Sequence, residues 1–143
     1  MDIKLLGPIE APIDGVPRPL GGPRQRAVLV DLALHAGHVV TMRQLVEDLW
    51  GGSPPRSAAH TVENYVSRLR RALQVEGMPG VLVSGGSGYR LNVLPDRVDA
   101  LRFGGLRDMG MRALDRGDPF AATGLLLAAL ALWRGPALAD VQD

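Results

Sequence analysis

The sequence predicts an α+β fold: a small antiparallel sheet, three helices and a β-hairpin over residues 1–94, followed by an α-helical hairpin over residues 95–143. Three observations carry this. Short β-prone runs bounded by Pro and Gly open the chain, and a second pair of such runs, split by Gly85-Gly86-Ser87-Gly88, closes the first part. Between them, apolar residues recur at helical spacing in three stretches separated by Gly37 and by Gly51-Gly52-Ser53-Pro54-Pro55. Beyond Pro95 the pattern is helical only.

Ile3 to Leu6, Ile9 to Pro12 and Val16 to Leu20 are expected as short antiparallel strands with a turn at Asp14-Gly15. Pro17 and Pro19 lack a donor N–H and confine the third to an edge. After Gly21-Gly22-Pro23, the positions Ala27, Val28, Leu32 and Ala36 define a first helix, which Gly37 stops. His38-Val39-Val40 reads as an extended link. Thr41-Met42-Arg43-Gln44 fits a capping box, in which the Thr hydroxyl and the Gln amide each satisfy an orphan backbone donor, and the second helix runs from there to about Trp50. Ser57 is placed to cap a third helix reaching about Gln74. Val81 to Ser84 and Tyr89 to Val93 read as the strands of a hairpin. In the second part, Asp99 is expected to cap a helix to about Arg116, and Asp118-Pro119 to open another that ends near Gly135.

Composition narrows the function. The absence of cysteine removes disulfides, thiolate zinc sites and cysteine nucleophiles together, and fits a reducing compartment. The first residues lack a basic region followed by a long apolar run, and the longest apolar stretch, Leu125 to Trp133, is too short to span a bilayer. A cytoplasmic protein without a membrane segment is expected. The net charge is +1, with ten basic and eight acidic residues in 1–94 against six and seven in 95–143, so any basic surface is local and lies in the first part.

The third helix carries the pattern that points to a function. Val62, Val66, Leu69 and Leu73 fall within about 60° of one another and form a core-facing stripe. Ser57, Thr61, Asn64, Arg68 and Arg71 recur at spacings of four, three, four and three on the opposite face. Arg donates bidentately to guanine, Asn pairs with adenine, and Ser or Thr reaches phosphate, base edge or thymine methyl, so this face suits the major groove of duplex DNA. Arg70, nearer the core edge, is expected to hold a phosphate or an internal carboxylate. A helix, tight loop, helix and β-hairpin in that order is the winged helix-turn-helix layout, whose hairpin touches the backbone or minor groove.

Other chemistry-bearing patterns have plainer explanations. His35 and His38 lie across the stop at Gly37 with no third ligand arranged nearby, so no metal is expected. Gly85-Gly86-Ser87-Gly88 lies between strands and lacks the Lys-Ser/Thr of a phosphate-binding loop. Glu47 and Asp48 diverge by about 100° on a helix and read as solvated surface. Trp50 reads as a core plug. No acid, base and nucleophile converge in the pattern, so neither an enzyme nor a cofactor is expected.

Gly22-Pro23-Arg24-Gln25-Arg26, Leu45 through Gly51, Thr61 through Leu73 and Gly88-Tyr89-Arg90 together resemble the OmpR-type winged-helix domain. Val98 through Phe103 and Ala131 through Gly135 resemble the start of a bacterial transcriptional activation domain, a helical array similar to tetratricopeptide repeats. That order is similar to the antibiotic regulatory proteins of actinobacteria. The resemblance implies binding to double-stranded promoter DNA at direct repeats, through His60, Thr61, Tyr65, Arg68 and Arg70. It also implies that the loop of Gly51, Gly52, Ser53 and Arg56 meets RNA polymerase. Many relatives place a basic residue in the wing where this chain has Gly85, which leaves Ser84, Ser87 and Arg90 as phosphate contacts. Stacked helical repeats cover one another, and one hairpin leaves Leu106, Leu125, Leu132 and Trp133 partly uncovered. The hairpin then folds back on the winged-helix part, forms a homodimer, or belongs to a shortened chain that competes for sites or binds a regulatory partner.

Overall fold

A computed structural model describes residues 1–141. Three helices build the first core: α1 (Pro23–Leu34), α2 (Met42–Trp50) and α3 (Ala58–Ala72). A three-stranded antiparallel sheet closes it, with β1 (Val40–Thr41), β2 (Leu82–Gly85) and β3 (Gly88–Leu91) in the order β1-β3-β2. A helical pair follows, α4 (Asp99–Asp115) and α5 (Pro119–Leu130), with single 3₁₀ turns at Pro95–Arg97 and Ala139–Val141.

The stripe expected of the third helix is the buried one. Val62, Val66, Leu69 and Leu73 pack with Val28, Leu29 and Leu32 of α1, Leu45 of α2 and Leu82 and Leu91 of the sheet. The extended link at Val40 is part of a strand, because Val40 and Thr41 pair with Tyr89 and Gly88 across the sheet. Gly88 permits this pairing: a Cβ there would overlap the backbone carbonyl of Val40. The hairpin turn is shorter than the four glycine-rich residues suggest, since Gly85 and Gly88 pair with each other and leave Gly86 and Ser87 as a two-residue loop. Gly37, at φ +83°, turns the chain out of α1 so that its N–H donates to Leu91 of β3.

The opening strands depart most from expectation. Only isolated bridges form, Lys4 with Glu10 and Ile13 with Val16, while Ile3 pairs in parallel with Val98, just ahead of α4 in the second part. Val16 to Leu20 forms no strand. Prolines at 8, 12, 17 and 19 deny the run a continuous ladder, so its backbone groups find partners elsewhere.

Two caps also differ. Ser57 makes no side-chain cap, and the turn into α3 closes through Ala58 N–H to Pro55 O and Thr61 N–H to Ser57 O. Asp99 is the first residue of α4 rather than its cap, and its carboxylate accepts from the N–H groups of Leu5 at 2.7 Å and Leu6 at 3.1 Å. Thr41 caps α2 as expected through Gln44 N–H, but the Gln44 amide turns to Asp48 at 2.7 Å instead of completing a capping box. Asp118 caps α5 through Ala121 N–H, and that helix stops at Leu130, short of Gly135.

The helical pair folds back on the first part. Beyond α5, Arg134 N–H donates to Leu6 O, Leu138 N–H to Leu5 O, and Asp140 accepts from Ile9 N–H at 2.8 Å and from Arg26 at 2.9 Å. This strap leaves the far side of the pair open: Phe120 is 91% exposed, Leu127 61% and Leu130 60%, and Trp133, edge-on to Phe103, is 41% exposed. Leu106, Leu125 and Leu132 are half-buried.

Asp99→Ala removes an ionised acceptor from two backbone donors held against the core. It is expected to lower unfolding stability by about 1.5–3 kcal/mol in urea denaturation, with unchanged helix content in far-UV circular dichroism.

Candidate nucleic-acid interface

The outward face of α3 is assembled as its spacing requires. Ser57, His60, Asn64, Arg68 and Arg71 are exposed, and Thr61 is half-buried at the margin of the same stripe. His60 lies 3.7 Å from Glu63, one turn on, an ion pair only when the imidazole is protonated. Tyr65 leans inward and packs on the core. The stripe is bounded on one flank by the wing (β2, β3 and their turn) and on the other by the first turn of α1.

Arg70 serves the wing flank. Its Nε donates to Leu82 O at 3.0 Å and its Nη2 to Ser84 Oγ at 3.3 Å, so the guanidinium bolts β2 to α3 and holds no carboxylate. That employs two of the residues assigned to DNA contact, Arg70 and Ser84, in positioning the hairpin. Tyr89 sits between the same groups: burial pushes its phenol above the ordinary value, the charge of Glu63 adds to this, and Arg70 opposes it. Ser87 is exposed at the wing tip. Arg90 is half-buried on β3 opposite Val83, with its Nε buried and without a hydrogen-bond partner. In the loop between α2 and α3, Gly52, Ser53 and Arg56 are exposed and Gly51 turns at φ +65°.

The α1 flank holds a residue that the helix-face pattern did not single out. Arg24 lies over the ring of Trp50 at 5.3 Å, capping a tryptophan that is only partly buried at the end of α2. Arg24 and Arg68 line one shallow concavity of about 440 Å³ together with Tyr65 and Gln25. Its basic character at a helix start, where cations are disfavoured, was the available signal.

One buried carboxylate lies behind the interface. Asp31 of α1 is 9% exposed, and its pKa is pushed from the ordinary 3.8 up to about 7, first by burial and then by hydrogen bonding to and repulsion from Asp48 of α2, against the lowering effect of His35 at 3.3 Å. Among the described residues no group of three or more His, Cys, Asp or Glu is arranged to hold a metal, and no helix is long and apolar enough to cross a membrane.

A three-helix core, a hairpin anchored to the third helix and a polar outward stripe define a winged-helix regulator of the OmpR type. Residues 20–91 match the family model described as "Transcriptional regulatory protein, C terminal", and residues 98–143 match the bacterial transcriptional activator domain. The chain belongs to the family of transcriptional regulatory proteins that the first of these models describes, here followed by a bacterial transcriptional activator domain. It is 41% identical over 138 residues to the regulatory protein AfsR of Streptomyces coelicolor, covering 96% of this chain and 14% of AfsR. It is 37% identical over 149 residues to the regulatory protein DnrI of Streptomyces peucetius, covering 99% of this chain and 55% of DnrI. A solved structure of Mycobacterium tuberculosis EmbR in complex with a low-affinity phosphopeptide superposes with a TM-score of 0.87 at 39% identity, over 98% of this chain and 38% of EmbR. The chain thus spans about half or less of the length of these relatives.

Two outcomes follow from the side chains behind the interface. Arg70→Ala is expected to speed hydrogen exchange at the β2 amides and to lower stability by about 1–2 kcal/mol, with exchange in α4 unchanged. Because Asp31 binds its proton more tightly folded than unfolded, stability is expected to fall as pH rises from about 4 to about 7 and then level off. Asp31→Asn flattens that slope in urea titrations across the same range.

Proposed function

We propose that the chain is a sequence-specific double-stranded DNA-binding transcription regulator whose recognition element is α3. The observation that carries this reading is the outward stripe of Ser57, Thr61, Asn64, Arg68 and Arg71, exposed save for the half-buried Thr61 at its margin. Arg68 and Asn64 carry the donor geometry for purine edges, and Ser57, His60 and Thr61 lie where the helix start meets backbone phosphate. Ser87 and Arg90 reach the backbone beside the groove from the wing, while Tyr65, Arg70 and Ser84 support the contact surface. Residues 1–94 act as the DNA-binding module and residues 95–143 as the activation module.

By family kinship, the regulator acts in the cytoplasm on promoters of specialised-metabolite genes. Protomers sit head to tail on direct repeats or as a homodimer, and recruit RNA polymerase through the exposed loop of Gly51, Gly52, Ser53 and Arg56. Its work is binding rather than catalysis. A second reading, in which the helical pair binds a regulatory protein, is favoured by the exposed Phe120, Leu127 and Leu130. Salt separates the two, since phosphate neutralisation makes DNA affinity fall steeply with ionic strength and an apolar interface responds little.

Fluorescence anisotropy on a genomic duplex library at two salt concentrations tests the first reading. Selective, salt-dependent binding is expected, weakened by about 1–3 kcal/mol and relaxed in sequence preference by Arg68→Ala. Absence of selective binding at both salts overturns it and shifts the weight to the helical pair.

A further inference from the structure

We infer that Arg24, on the first turn of α1 and outside the α3 stripe, holds a backbone phosphate of duplex DNA beside the base that Arg68 reads. This deepens the DNA-binding reading and rests on it. The geometry starts from the flanks of α3. Glu63 and Arg70 face the wing, whereas Tyr65, Arg68 and Ala72 lie on the opposite side, against the first turn of α1. Arg68 therefore projects from the α1 edge of the stripe, and the concavity of about 440 Å³ beneath it is shared with Arg24. A neighbouring concavity of about 470 Å³ joins Arg68 to Arg71 across Gly21 and Gly22.

The charges in this place are uncompensated. Among the described residues Arg24, Arg68 and Arg71 enter no ion pair. The first turn of α1 contains no acidic residue, and Gly22 supplies no side-chain cap. A cation beside the positive end of a helix is unfavourable alone, and an anion bound between them relieves both. Arg24 is also pre-oriented. Its guanidinium lies 5.3 Å from the centre of the Trp50 ring, and among the described residues its N–H donors enter no ion pair.

The ligand chemistry that fits is a phosphodiester flanking the groove that α3 enters. The shoulder of α1 lies beside the recognition stripe, and Arg24 offers a fork there while Gln25, the other polar side chain of α1 in the concavity, is committed to Leu20 O. Arg24 thereby fixes the register of α3 along the duplex from the side opposite the wing.

The test measures binding of wild type, Arg24→Ala and Arg116→Ala to two duplexes across a salt series. One duplex is selected by the wild type from a random library and the other is its scrambled sequence. Arg116, exposed beyond α4, serves as the control cation, and thermal unfolding verifies that each variant folds. Arg24→Ala is expected to weaken binding to both duplexes severalfold and by the same factor, and to reduce the slope of log K against log salt by about one, with Arg116→Ala unchanged. An unchanged slope for Arg24→Ala, or a loss confined to the selected duplex, overturns the phosphate assignment and leaves α3 recognition standing. A wild type that binds neither duplex removes the DNA-binding reading and this assignment together.

Discussion

The architecture depends on how the first ten residues are held. Within that segment Lys4 and Glu10 pair with each other, and the other backbone groups held against the core need partners elsewhere. Asp99 supplies the solution: one carboxylate takes the N–H groups of Leu5 and Leu6, while Ile3 N–H donates to Arg97 O and Asp99 N–H donates to Ile3 O. The strap after α5 completes the enclosure, with Arg134 and Asp140 taking up Pro8, Glu10 and Ile9. Ile3, Leu5, Leu6 and Ile9 are consequently buried, each at 5% exposure or less. The N-terminal segment is thus the shared wall of both modules, and α4 starts from a fixed point on the first.

The recognition surface depends on a division of labour among similar side chains. Arg68 and Arg71 point outward and remain unpaired, Arg70 binds the hairpin, and Arg26 binds the strap at Asp140. Spacing on the helices decides which arginine does which, since a step of two residues on α1 or α3 turns the side chain through about 200°. Arginine suits the structural posts because a planar fork can satisfy a carbonyl and a second oxygen together.

What the sequence made legible was the information carried locally. The core stripe of α3, the stop at Gly37, the Thr41 and Asp118 caps and the two-strand wing are all written within a few residues of where they act. What it concealed involves distant partners. Val40 becomes a strand only because Gly88 and Tyr89 arrive beside it, and the β-prone opening stays out of a sheet because its partners lie at residues 97–99 and 134–140. Ser57 and Asp99 have the chemistry of caps, yet a local turn replaced the first and two remote N–H groups claimed the second. In the candidate site, the outward stripe followed from helical period alone. The bolt from Arg70 to Leu82 and Ser84, and the approach of Arg24 to Arg68, needed the packing of β2 and α1 on either side of α3.

The strap also bears on the order of events during synthesis. Asp140 reaches Ile9 across 131 residues of sequence, and Arg134 reaches Pro8 across 126. Loops of that span close late, because their entropy must be met before their contacts form. The helices around α3 can collapse on local contacts and residues 3–6 can settle once Asp99 is in place, but Pro8 and Ile9 gain their partners only when residues 134–140 arrive. Residues 8 and 9 are therefore expected to become native after the helices they lie against.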